Sequence, residues 1–176
     1  MALVVTAGWM GVYSPPAHAR VIQEHLPNDV ILDKSIRTIK DPRGYSWQAI
    51  AFKNTQYGSS DGPYLRLVGF PGSVVIDRSK PMIVTLPTEQ PIMQDDVSSL
   101  IFKNGEQPQQ NVAQYRLSRV GDRLKEPTTL HLNIPIIASA NAASDMHSTS
   151  PPPVVNQLEL IIPQSVVREW LEVVRR

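Results

Sequence analysis

Proline is the residue that most limits how this chain can fold. The sequence holds 16 prolines and 9 glycines among its 176 residues, and that proline count is about twice the ordinary frequency. Because proline ends helices and is confined in sheets to edges and turns, this composition favours many short elements over a few long helices.

Turn sequences separate five apolar runs in the first half of the chain. The turns lie at 41–44, 57–63 and 69–72, and the runs lie at 30–39, 45–52, 64–68, 73–77 and 82–86. Pro42 fixes φ for a turn and Gly44 accepts a positive φ, so the first two runs are predicted to form a hairpin. The whole order predicts an antiparallel meander.

Two further strands are predicted in the second half. Apolar and polar residues alternate over 129–137 and again over 157–162, which is typical of half-buried strands, and we expect the two to pair. The segment 138–153 between them is rich in Ala, Ser, Asn and Pro. It has too few large apolar groups to offset the entropy of ordering, so it is predicted to be a mobile loop.

A short central helix is predicted over 111–125. Leu117, Val120 and Leu124 recur there at helical spacing, and Asn111 is placed to cap the N-terminus. This helix must end before the proline that follows.

A C-terminal amphipathic helix is predicted over 166–176, with Ser165 as its cap. Its apolar face could lie on a membrane, because the opposite side carries Arg168, Arg175 and Arg176. Glutamates mixed among these arginines favour the alternative, in which the helix docks on the sheet. The docking residues would be Val166, Val167, Trp170, Leu171 and Val174.

These elements predict a single mainly β (α+β) domain over 20–176. With 41% hydrophobic residues, the chain can bury an ordinary core. The antiparallel meander is expected to form a sheet, a sandwich or a partly open barrel, completed by the short central helix and the C-terminal helix.

The first 19 residues have the layout of a secretory signal peptide. They contain no Asp, Glu, Lys or Arg, and an apolar run over 2–13 precedes two prolines. Ala17 and Ala19 supply the small side chains that signal peptidase requires, which places cleavage before Arg20. No positive residue precedes the run, and the alternative is that its first residues form a buried first strand or a hydrophobic terminus of a cytosolic protein. At about a dozen residues, the run is short for a membrane anchor, which needs roughly 20.

Charge and motifs argue against several classes of function. The formal net charge is +1 and there are no cysteines, so we expect no nucleic-acid partner, no disulfides and no thiolate metal site. No phosphate-binding glycine loop, nucleophile elbow or histidine pair at metal-ligand spacing occurs, so no catalytic, cofactor or metal residues are assigned. The sequence favours a protein that is not an enzyme.

Four aromatic residues on neighbouring predicted elements form the one candidate site. Such a group lines an apolar ligand pocket in some proteins and fills the core in most. The residues are Trp47, Phe52, Tyr64 and Phe70.

Three segments resemble a family of uncharacterised exported proteins found mainly in cyanobacteria, domain of unknown function 3122. They are YLRLVGFPG at 64–72, NVAQY at 111–115 and IPQSVVREW at 162–170. The similarity extends from about Val30 to Trp170, although the 138–153 loop is longer than the family leads us to expect. The resemblance carries no functional residues, but it implies the periplasm or thylakoid lumen and a link to photosynthetic membranes.

The leading hypothesis is therefore an exported accessory protein that binds other proteins, including membrane complexes, through a β-sheet scaffold. One alternative is a carrier that holds an apolar small molecule among the four aromatic residues. Another is a hydrolase, which would need His131 or His147 to meet an acid and a hydroxyl in a cleft.

Overall fold

A computed structural model describes residues 21–87, 89–100, 106, 108–137 and 157–176. The predicted signal peptide at 1–19 and the predicted mobile loop at 138–153 lie outside these residues. The described strands are β1 (Ile22–Leu26), β2 (Val30–Lys40), β3 (Ser46–Gln56), β4 (Ser59–Val68), β5 (Val75–Ile76), β6 (Met82–Thr85), β7 (Ile92–Gln94), β8 (Val112–Arg116), β9 (Leu130–Ile137) and β10 (Gln157–Ile162). The helices are α1 (Ser118–Arg123), α2 (Gln164–Arg175) and a 3₁₀ turn at Ser98–Leu100.

The strands form two antiparallel sheets. The first sheet has the order β1-β2-β3-β4-β8, and the second has the order β10-β9-β6-β7, with β5 also paired to β9. Both sheets end in edge strands within the described residues, so each is open. The predicted mainly β architecture is confirmed, and so is the pairing of the 129–137 and 157–162 strands.

The first predicted hairpin is confirmed, and the second is tighter than predicted. The turn at 41–44 joins β2 to β3. The polar tip predicted over 57–63 is too long, because β4 already begins at Ser59 and only Tyr57 and Gly58, whose φ angles are 49° and 78°, separate it from β3. Two successive positive φ angles are typical of a two-residue hairpin turn. The strand ends there are polar, so hydrophobic periodicity gave no signal for them.

The prediction of one helix over 111–125 is wrong for its first half. Residues 112–116 form β8, which pairs with β4, and only Ser118–Arg123 is helical. Asn111 does not cap a helix: its side-chain amide donates a hydrogen bond to the Gly69 carbonyl at 2.7 Å. Strand pairing wins because it buries Ala113 and Tyr115 completely on the sheet.

The inner face of the first sheet receives α2. Inward residues alternate along β3, where Trp47, Ala49 and Ala51 are fully buried. The small side chains of Ala49, Ala51 and Ser35 leave room for the helix, which contacts β2 and β3. Residues of both sheets and both helices join in one continuous hydrophobic core.

The start of α2 differs from the prediction by two residues. The helix begins at Gln164, Pro163 occupies the N-cap position, and no side chain caps it. Ser165 therefore lies inside the first turn and is not the cap. Proline suits the entry to a helix because its missing N–H would have no intrahelical partner there.

A buried carboxylate fixes α2 on β2. Glu169 is 3% exposed and accepts hydrogen bonds from the Arg37 guanidinium, with Nε at 2.9 Å and Nη2 at 2.8 Å, and from the Ser35 hydroxyl. Just past the C-terminal end of the helix, Arg176 pairs with Asp33 at 3.2 Å. Polar contacts at two points along β2 therefore set the position of the helix.

Replacing Glu169 with alanine tests this anchor. The change leaves the Ser35 hydroxyl and the Arg37 guanidinium without their acceptor, so we expect the free energy of unfolding to fall by about 2–4 kcal/mol. Glu172→Ala is the control, since Glu172 is an exposed glutamate of the same helix and its loss should cost less than about 1 kcal/mol. Urea titrations followed by tryptophan fluorescence measure both values. Equal losses would contradict the anchoring role.

Candidate functional site

The four aromatic residues proposed from the sequence do not line one cavity. Trp47 lies on the inner face of the first sheet and is 1% exposed, whereas Phe70 lies in the turn after β4 and is 53% exposed. Phe52 and Tyr64 are direct partners on the outer face, with ring centroids 5.5 Å apart. The group therefore divides into a core residue, a surface residue and an outer-face pair.

A buried aspartate builds the hairpin tip between β2 and β3. The Asp41 side chain is fully buried and accepts hydrogen bonds from the backbone N–H groups of Arg43 at 2.9 Å and Tyr45 at 3.0 Å. Its second oxygen accepts from the Arg43 guanidinium at 2.9 Å and from the Trp47 indole at 3.3 Å. One carboxylate thus holds the whole turn to the core tryptophan.

These contacts keep Asp41 ionised. Burial by itself would raise the pKa of the Asp41 carboxyl group, but the hydrogen bonds from Arg43, Trp47 and Tyr45 outweigh it and hold the pKa below its ordinary value of 3.8. The turn is therefore closed around a negative charge, which strengthens each N–H contact to it.

Two exposed aromatic rings stack above this tip. Tyr45 is 43% exposed and Phe70 is 53% exposed, and their ring centroids lie 6.1 Å apart with an interplanar angle of 28°. The Arg43 guanidinium, held by Asp41, lies 5.2 Å from the centre of the Tyr45 ring. We call Tyr45 and Phe70 the turn patch.

Gly69 seats the second half of the turn patch against the core. A side chain at this position would meet Val74 at 2.5 Å and the Trp47 ring at 3.0 Å, so only glycine allows the approach. The Gly69 N–H donates to the Asn111 carbonyl at 2.8 Å, while its own carbonyl accepts from the Asn111 side chain. Phe70 is thus presented from a backbone that is fixed on two sides.

A second cluster lies on the outer face of the first sheet. The Arg66 guanidinium lies 5.0 Å from the centre of the Phe52 ring, and the Arg116 guanidinium lies 5.3 Å from the centre of the Tyr64 ring. Tyr64 also donates a hydrogen bond to Asp61 at 2.6 Å. We call Phe52, Tyr64, Arg66 and Arg116 the cation–π cluster.

A network of buried polar groups supports this cluster from β8. The Gln114 side-chain oxygen accepts from Arg66 Nε at 3.2 Å and Nη2 at 3.1 Å. The Gln114 backbone N–H donates to the Ser98 hydroxyl at 2.9 Å, and Ser98 donates to Asp96 at 2.7 Å. Since Gln114 and Ser98 are almost fully buried, Arg66 is held in one orientation.

The predicted docking residues of α2 pack on the core of this same chain. Val166, Val167, Trp170 and Leu171 are buried, and Val174 is partly buried against them. Between α1 and α2 a cavity of about 10 Å³ remains, which is at the lower limit for one water molecule. The apolar face of α2 is therefore covered by core residues of the same chain.

A wider cleft lies past the C-terminal end of α2. Its volume is about 370 Å³, and it is lined by Gln23, Ile31, Asp33, Thr55 and Arg176. Asp33 is paired there with Arg176 at 3.2 Å and accepts from Gln23 at 3.1 Å. The lining combines polar groups with apolar surface, and none of the four aromatic residues contributes to it.

The described histidine of the hydrolase hypothesis stands on an open sheet face. His131 Nδ1 lies 2.6 Å from Glu159 Oε1, and both side chains are more than two-fifths exposed. His147 lies outside the described residues. Among the described residues, no three His, Asp or Glu side chains are grouped closely enough to hold a metal ion.

Neither helix in the described part of the chain has the length and apolar character needed to cross a membrane. A family model described as Protein of unknown function (DUF3122) matches residues 19–173. No curated protein and no solved structure matches the chain.

Asp41→Asn tests whether charge holds the hairpin tip. Because the folded-state pKa of Asp41 is lowered, its contribution to stability is present above the ordinary value of 3.8 and is lost as the pH falls through the lower folded-state value. We expect the wild type to exceed D41N by about 1–3 kcal/mol in unfolding free energy at neutral pH. The difference should shrink below about pH 4.

Urea titrations from neutral pH down to about pH 3 measure this difference across the titration of the carboxyl group. Asp29→Asn, in the exposed turn between β1 and β2, is the control for loss of one negative charge. A stability difference between wild type and D41N that stays constant over this range would contradict the ionic role.

Proposed function

We propose that this chain, which belongs to the DUF3122 family, is an exported, non-catalytic accessory protein that binds a protein partner through the turn patch. The observation that carries the proposal is the stack of Tyr45 on Phe70, two exposed rings held by turns that are fixed to the core.

The build of the turn patch suits protein recognition. Exposed aromatic rings supply large contact areas and dominate the binding energy of many interfaces. Rings on a flexible loop would lose conformational entropy on binding, whereas the Asp41 contacts and the Gly69–Asn111 pairing have already ordered these two. The patch therefore meets a partner with little further ordering.

The same features indicate the partner's chemistry. Two stacked rings with proline at positions 42 and 71 present a mainly apolar surface, with the Arg43 guanidinium beside the Tyr45 ring. Such a surface matches an aliphatic or aromatic protrusion on another protein, with polar groups at the rim. We place this partner among the membrane complexes of the compartment to which the protein is exported.

Two observations support export. Residues 1–19 have the apolar run and the Ala17 and Ala19 pair of a signal peptide. The family match begins at residue 19, next to the proposed cleavage site. The family resemblance favours the periplasm or thylakoid lumen as the destination and photosynthetic membranes as the neighbouring structure.

Export is tested by the intact mass and the cellular fraction of the protein, expressed in its own host with a C-terminal tag. We expect a mature chain that begins at Arg20 and is found outside the cytoplasm, because signal peptidase cuts after Ala19. A full-length mass in the cytosol would overturn the export proposal and leave the turn-patch proposal to its own test.

The binding role is tested by replacing Phe70 with the photo-crosslinking amino acid p-benzoylphenylalanine in the same host. We expect one defined protein of the exported compartment to be captured, because the ring at position 70 would lie at the interface. Tyr57 is the matched control site: it is an 81% exposed aromatic in the hairpin turn at the opposite end of β3.

A Tyr45→Ala change should reduce capture from position 70 by about tenfold, as expected for loss of an aromatic hot spot. The same change should leave the thermal midpoint nearly unaltered, because the Tyr45 side chain lies at the surface and is 43% exposed. Identical products from positions 57 and 70, or capture that ignores the Tyr45 change, would contradict the proposal.

A further inference from the structure

Within the part of the chain that the structure describes, neither arginine of the cation–π cluster forms an ion pair. Among the described residues, ion pairs hold Lys34, Arg37, Arg43, Lys80 and Arg176, but neither Arg66 nor Arg116. Arg66 is nonetheless half-buried, and burial lowers the pKa of its guanidinium group. A charge that has been partly desolvated without a counter-charge is relieved by an incoming anion.

The open edges of these guanidinium groups suit a carboxylate. A ring covers one plane of each group, and Gln114 occupies the Nε and Nη2 positions of Arg66. Among the described residues, Nη1 of Arg66 donates no hydrogen bond, whereas Nε and Nη2 do. A planar fork held in this way pairs with a carboxylate more specifically than a flexible lysine would.

The spacing of the two arginines follows from the strand register. Tyr64 stands opposite Arg116 and Arg66 stands opposite Gln114, so the two arginines are diagonal neighbours on one face, roughly 7–8 Å apart. In an extended chain, side chains two positions apart lie about 6.5–7 Å from each other on the same side. Two acidic residues in the pattern acidic-x-acidic therefore match the pair.

The next row along the same strands is apolar. Val68 stands opposite Val112, and both are half-buried on the outer face, beyond Arg66. A peptide that lies along β4 and β8 would place its third facing side chain on these valines. Along β4 and β8, the outer face therefore presents two positive side chains followed by an apolar row.

We propose that the cation–π cluster binds an extended acidic segment of a protein partner with the pattern acidic-x-acidic-x-aliphatic. The two carboxylates pair with Arg116 and Arg66, and the aliphatic side chain packs on Val68 and Val112. This site is on the outer sheet face and goes beyond the turn patch, which involves different residues at the hairpin end.

The test is a calorimetric titration of the full chain with the blocked peptide Glu-Thr-Glu-Thr-Leu and with its neutral counterpart Gln-Thr-Gln-Thr-Leu. We expect the acidic peptide to bind at least about tenfold more tightly, since charge-assisted pairs are roughly twice as strong as neutral ones. Equal affinities would overturn the proposal.

Variants locate the binding. R66Q/R116Q should weaken binding of the acidic peptide by at least about tenfold. R168Q/R175Q removes the same charge from exposed positions of α2 and should change the affinity by less than about twofold. If the control variant loses as much as R66Q/R116Q, the effect is general charge attraction and the proposal fails. Should R66Q/R116Q not fold by circular dichroism, R116Q alone serves, since Arg116 is exposed, and unchanged binding would be equally decisive against the site.

Two further titrations separate this site from others. Phe70→Ala should leave peptide binding unchanged, so the failure of one proposal does not entail the failure of the other. Inorganic phosphate is the competing ligand: if it binds more tightly than the peptide and depends on Arg66 and Arg116, the cluster is a phosphate site and the peptide proposal is overturned.

Discussion

The contact of Glu169 with β2 is the interaction on which the rest of the architecture depends. Burying a carboxylate that is 3% exposed costs free energy of desolvation. The hydrogen bonds and the ion pair with Arg37 and Ser35 offset about the same amount. The contact therefore contributes more to position than to net stability. Because an unpaired buried charge is costly, α2 is held where Glu169 meets both donors, on the side of the first sheet that carries the buried residues of β3.

That choice of side determines what the outer face can do. Once α2 and the second sheet cover the inner face, the alternate residues of β3, β4 and β8 are left on the outside. Phe52, Tyr64, Arg66 and Arg116 belong to this outer set, and so their clustering follows from the two-residue period of the strands. A shift of one residue in the register of β4 or β8 would exchange these side chains for the buried leucines and alanines.

Much of this fold could be predicted from residue patterns, and the errors have physical causes. The alternating segments at 129–137 and 157–162 were assigned correctly, because each buries one face. The strand at 112–116 was predicted as helix, because its apolar residues continue the helical spacing of those that follow. Only pairing with β4 shows that these residues form a strand. The short, polar strand β1 pairs with β2 at the edge of the first sheet. Its residues show too little hydrophobic periodicity for a strand to be predicted there.

The candidate sites were predicted in part for the same reasons. Trp47 and Phe52 are five positions apart, an odd spacing that places them on opposite faces of a regular strand. Their placement on opposite faces could therefore be predicted from the sequence. The cation–π cluster could not be predicted from the sequence, because Arg116 lies beside Tyr64 only when residues 112–116 form a strand. Nor could the buried state of Asp41 be inferred, since aspartate in a proline turn is usually solvated.

Both candidate surfaces are supported by polar groups that are themselves buried. Asp41 fixes the backbone below the turn patch, and Gln114 with Ser98 fixes Arg66 in the cation–π cluster. Buried polar groups are costly unless each is satisfied, so these hydrogen bonds hold their surroundings in one arrangement. Under the two proposals, these buried groups would keep the rings of the turn patch and the guanidinium groups of the cation–π cluster rigid. Rigidity at an exposed aromatic or cationic group has its main effect on binding, where it reduces the entropy lost when a partner arrives.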